Sequence, residues 1–87
     1  MSNKSLMERL LEAGYPPEDI HHYYSDLYVY VTPLTTKIIT EWADEKGYDS
    51  NLRDGVFVQT FRNQIDGRKM YDIHFEYIPF WNKKEEN

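Results

Sequence analysis

Apolar and polar positions alternate along one stretch of the chain and then change period. Leu27, Val29 and Val31 alternate with Tyr28 and Tyr30, and a period of two in β-branched and aromatic residues predicts a strand. Thr32 then stands where a helix N-cap belongs. Pro33 takes the first helical position, where its missing N–H costs nothing. Leu34, Ile38, Ile39 and Trp42, with Ala43 beside them, form one apolar stripe of a helix that Gly47 ends. Thr35, Thr36 and Thr40 are weak helix formers, so this helix is expected to depend on docking its stripe against a sheet. Trp42 reads as a core anchor.

Upstream, Ser5 and Glu8 have the spacing of a capping box, and Leu6, Met7, Leu10 and Leu11 give a short helix its apolar face. Gly14 and Pro16-Pro17 stop it. Pro17-Glu18-Asp19-Ile20 starts a further helical turn, expected to run to about Tyr23, with a turn at Ser25-Asp26. Downstream, residues 48–55 read as a polar loop. Val56 to Ile78 reads as a hairpin around Asp66-Gly67.

The hairpin register decides which face is buried. A two-residue loop pairs Ile65 with Arg68 and puts Val56, Val58 and Thr60 on the face of Tyr71, Ile73, Phe75 and Tyr77. A three-residue loop pairs Gln64 with Arg68 and puts Phe57, Gln59 and Phe61 there instead. The three-residue form is preferred, because it gathers the large rings on one face. Pro79 closes the last strand, leaving Phe80-Trp81 to cap the core or serve as a docking handle. Lys83 to Asn87 is expected to be a disordered charged tail.

These elements predict an α+β fold in a single domain, residues 1–87: an N-terminal helix, then β-α-β-β. The three-stranded, mainly antiparallel sheet has order 1-3-2, with helices covering one face. The other face would carry Tyr28 and Tyr30 beside Asp72, His74 and Glu76.

Composition narrows the function classes. The 87 residues carry a formal charge of −5. Residues 1–54 hold five basic and ten acidic side chains, so direct nucleic-acid binding is disfavoured. There is no cysteine for a disulfide or a thiolate zinc site. No run is long and apolar enough to span a membrane, and no signal peptide is seen, so the expected location is cytoplasmic. Eight Tyr, four Phe and two Trp are more rings than a core of this size is expected to hide, and interfaces are enriched in Tyr and Trp.

Two groups invite a chemical reading. On a helical turn, His21 and His22 point about 100° apart and cannot share an ion unaided, although Asp19 or Asp26 could join one of them. Asp72, His74 and Glu76 alternate on one strand and suit a metal or acid–base pair only with partners from another element. No nucleophile pairs with them, so no enzyme and no cofactor are expected.

The segments YYSDLYVYVTPLTTKII and QIDGRKMYDIHFEYIPFW resemble small accessory proteins carried by mobile elements of Firmicutes, over roughly Tyr15 to Trp81. Cargo of that kind includes inhibitors of host defence, anti-CRISPR proteins among them. The resemblance implies a protein that binds another protein and carries over no functional residue. The expected function is therefore a small acidic interaction module for a basic protein surface, using Tyr28, Tyr30, Asp72, His74, Glu76, Phe80 and Trp81. Alternatives are a homo-oligomeric structural protein, or a metal or enzymatic site around Asp72, His74 and Glu76.

Overall fold

The computed structural model describes residues 4–48, 51–52 and 57–75. Helix α1, Leu6–Glu12, starts at the capping box expected of Ser5 and Glu8: Glu8 N–H donates to Ser5 Oγ and Ser5 N–H to Glu8 Oε1. Leu6 and Leu10 are buried, whereas Leu11 stays largely exposed.

The next segment departs from expectation. Pro17–Asp19 is a single 3₁₀ turn, and the chain then extends as strand β1, His21–Tyr23, which pairs antiparallel with β2, Asp26–Tyr30. His21 and His22 therefore lie on an edge strand and point to opposite faces of the sheet. The helical reading failed because Tyr24-Ser25, the two residues joining β1 to β2, contain no Gly, Asn or Asp to mark a hairpin.

Helix α2, Pro33–Lys46, begins and ends where Thr32 and Gly47 placed it, Gly47 taking a left-handed conformation at φ 78°. Its buried face differs by one residue from the stripe read in the sequence: Thr35 is buried and Leu34 partly exposed. Thr35 Oγ1 accepts from Thr32 N–H at 2.9 Å, and it lies 2.7 Å from the Tyr30 carbonyl, to which it donates. A polar side chain is thus buried with its hydrogen bonds made.

Strands β3, Val58–Arg62, and β4, Lys69–His74, complete a four-stranded antiparallel sheet of order β1-β2-β4-β3. The three expected strands are neighbours as 1-3-2, and β1 extends the sheet beyond them. The hairpin register corrects the preferred one. Arg62 pairs with Lys69 and Val58 with Ile73, and Asn63 N–H donates to the Arg68 carbonyl at 2.8 Å, which leaves a four-residue loop of Gln64, Ile65, Asp66 and Gly67. Asn63 builds it: its Oδ1 accepts from Ile65 N–H at 2.6 Å, its carbonyl from Gly67 N–H at 2.8 Å, and Gly67 supplies φ 75°. Val58 and Thr60 therefore share a face with Ile73 and Tyr71, as in the two-residue alternative, while Phe61 faces the other way beside Met70.

That face packs on the helices. Leu27, Val29, Val58 and Ile73 meet Leu6, Leu10, Ile38, Ile39 and Trp42. Trp42 is the expected anchor, with ring contacts to Tyr48, Phe57 and Phe75 at 5.6–6.0 Å between centroids. Phe57 reaches the core just before β3 begins.

Candidate functional site

The face without helices is built in three rungs. Tyr23, Asp26 and His74 form one, His21, Tyr28, Asp72 and Gln59 the next, and Tyr30, Met70 and Phe61 the third. The pairing register alone brings Tyr28 beside Asp72. It also places Asp26 across from His74.

His74 Nδ1 lies 3.0 Å from Asp26 Oδ2, and its Nε2 lies 3.5 Å from Asp72 Oδ2. Asp72 is hydrogen-bonded to the Asp26 carboxyl, and its pKa is pushed up to about 6, chiefly by burial. His74 opposes that rise and Asp26 adds to it. Asp72 Oδ1 is buried with no hydrogen-bond partner among the described residues. An Asp72 carboxyl that holds its proton carries no charge, which lowers the cost of burying it. Tyr28 hydroxyl donates to Asp26 Oδ2 at 3.4 Å, and burial raises the phenol's pKa, helped by Asp72 and Asp26.

Tyr30 sits on this face but is not a free surface ring. It is 9% exposed. The Arg68 guanidinium carbon lies 3.6 Å from its ring centroid, and its hydroxyl donates to Asp66 at 3.2 Å. The expected patch of exposed tyrosines among exposed carboxylates is thus redrawn. Asp26, Asp72 and His74 keep only 15–21% of their side-chain surface. The exposed apolar ground lies at the ends of the strands instead. Tyr23 and Tyr24 are 62% and 90% exposed at the β1–β2 tip, and Ile65 is 93% exposed beside Phe61 at the far hairpin. His21, Tyr28, Phe61, Asn63, Ile65 and Met70 line a groove of about 380 Å³ there.

Glu76, Phe80, Trp81 and the charged tail lie outside the described residues. Tyr23 and Tyr24 were not among the site residues read from the sequence, and Asp26 entered only as a partner for His21 or His22. Their signal was the adjacency of a histidine–tyrosine stretch to a strand, legible only once that stretch is itself a strand. Among the described residues, no helix is long and apolar enough to cross a membrane. No family model, curated protein or solved structure matches the chain.

Proposed function

We propose that this chain is a small acidic protein-interaction module that docks a basic protein surface on its helix-free sheet face, with the β1–β2 tip as the projecting contact. The observation that carries this reading is Tyr24. It has φ 56°, and it holds a large ring almost wholly in water. A non-glycine residue in that region costs about 1–2 kcal/mol, and an exposed ring recovers nothing for the fold. Such a residue fits a surface made for contact. The chain's formal charge of −5 favours a basic partner, and Asp26 is the carboxylate at the tip itself.

The test is affinity capture from native lysate at about 0.05 M and 0.5 M salt, which brackets weak and strong screening. Wild type is compared with a Tyr23→Ser, Phe61→Ser, Ile65→Ser variant whose unfolding midpoint is unchanged. Basic proteins held at low salt by wild type and released by the variant support the reading. Capture indifferent to the variant overturns it. A dimer in light scattering that the variant dissolves assigns the face to self-association.

A second reading is favoured by one observation. Asp26, Asp72 and His74 each offer a ligand atom within 4.8 Å of the others, which suits a divalent cation with nitrogen and oxygen donors. Native mass spectrometry with Zn²⁺ and with Mn²⁺ decides it. One bound ion, lost in Asp72→Asn, supports a metal centre, and the absence of any adduct disposes of it.

A further inference from the structure

We infer that the cup formed by Tyr23, Tyr24, Ser25, Asp26 and Tyr28 receives one arginine side chain of the basic partner; this deepens the interaction reading above and rests on it. The cup encloses about 460 Å³. Tyr23 and Tyr24 stand edge to face, centroids 4.4 Å apart and planes inclined at 66°. Tyr28 lines it as well, its hydroxyl 3.4 Å from Asp26 Oδ2. Phenol rings around a carboxylate attract a cation through both the ring quadrupole and the charge. A guanidinium suits this better than an ammonium, because it is planar, weakly hydrated and able to stack while pointing its N–H fork at a carboxylate.

The same strand already holds a filled version of the arrangement. Two residues on, Tyr30 has the Arg68 guanidinium over its ring at 3.6 Å and the Asp66 carboxylate on its hydroxyl at 3.2 Å. Tyrosine, carboxylate and guanidinium are there supplied by one chain, and Tyr30 is buried by them. At Tyr23, Tyr24 and Tyr28 the rings and the carboxylate are present, the carboxylate with His74 Nδ1 3.0 Å from its Oδ2, and among the described residues no Lys or Arg stacks on the rings. Tyr24, at φ 56°, lines this space. The missing member of the triad is what a basic partner brings.

The experiment is an aromatic ¹H–¹³C titration of the full chain with hexa-arginine and, separately, with hexa-lysine. Hexa-arginine is expected to move the Tyr23, Tyr24 and Tyr28 ring resonances and to bind about fivefold more tightly than hexa-lysine. A Tyr23→Leu, Tyr24→Gly variant, its core methyl resonances in place, is expected to lose about tenfold in hexa-arginine affinity. Equal binding of hexa-lysine through the same rings overturns the choice of arginine. Hexa-arginine binding that leaves the three rings unmoved and the variant unaffected overturns the cup and leaves the interaction reading standing. No binding of either peptide to wild type at about 1 mM, an affinity of roughly −4 kcal/mol, overturns both.

Discussion

On the helix-covered side of the sheet, Leu27, Val29, Val58 and Ile73 are fully buried among apolar side chains of α1 and α2, and Tyr71 on the same face adds a 2.7 Å hydrogen bond to Thr36. On the other side the same strands present Asp26, Tyr28, Asp72 and His74, which are largely buried as well but held by hydrogen bonds and charge. One side of the sheet gains stability simply by excluding water. The other must satisfy each polar atom, and its stability depends on pH as the first side's does not. The difference locates where chemistry can reside. A face whose register places two carboxyls and an imidazole together is costly to keep for folding alone.

The comparison is broken most sharply by cutting each side equally. Leu27→Ala, which empties the space below α1, is expected to cost about 3 kcal/mol, most of the roughly 5 kcal/mol a domain of this size has. Phe61→Ala removes a larger ring from the exposed face and is expected to cost under about 1 kcal/mol. Urea unfolding of the two variants measures both. Similar losses would mean that the helix-free face is also core.

Asp72→Asn tests the polar side. The folded state holds the Asp72 proton up to about pH 6, against an ordinary value of 3.8. A raised carboxyl pKa means the native state binds more protons than the unfolded state between these values. Stability from this group is therefore fully present below about pH 4 and falls as pH rises to 6, by up to about 3 kcal/mol. Asn keeps the shape without the charge. The variant is expected to be more stable than wild type by about 1–2 kcal/mol at pH 7.5 and to lose the slope between pH 4 and 6. Thermal melts across that range check it, and an unchanged slope would assign the proton elsewhere.

A smaller effect comes from the junction between the two sides. Thr35 lies at the start of α2, fully buried, with its hydroxyl shared between Thr32 and the Tyr30 carbonyl. Thr35→Val keeps the volume and removes those bonds, at an expected cost of about 1–2 kcal/mol in urea unfolding. Thr40→Val, exposed on the same helix, is the control and should change little.

What the sequence made legible follows the same division. The covered face could be read because its signals are local: alternation at Leu27, Val29 and Val31, a stripe through Ile38, Ile39 and Trp42, and caps at Ser5, Thr32 and Gly47. Tyr28 was also expected beside Asp72, since alternation fixes which residues share a face once two strands pair. Two things were not legible. Asn63 lengthens the second hairpin loop through its own side chain, a bond that a count of turn residues does not reveal. Tyr24-Ser25 turns the chain with Tyr24, in place of a Gly, Asn or Asp, in the left-handed conformation, which hid β1 and with it Tyr23 and the position of Asp26 opposite His74. The candidate site was obscured where local preference was overridden.

The smallest expected effect concerns that override directly. Tyr24→Gly places at φ 56° the one residue that adopts it freely. Relief of about 1–2 kcal/mol of backbone strain is opposed by roughly 0.5–1 kcal/mol of added freedom in the unfolded chain. The net gain is expected to be under about 1 kcal/mol, read as a small rise in urea midpoint at constant slope. The ring adds little to compensate, since it is 90% exposed and touches chiefly its neighbour Tyr23. If the variant is instead destabilised by more than about 1 kcal/mol, Tyr24 is holding the β1–β2 hairpin together and its exposure is incidental. If the protein becomes more stable while its grip on basic ligands weakens, the strained tyrosine is kept for contact at the expense of the fold.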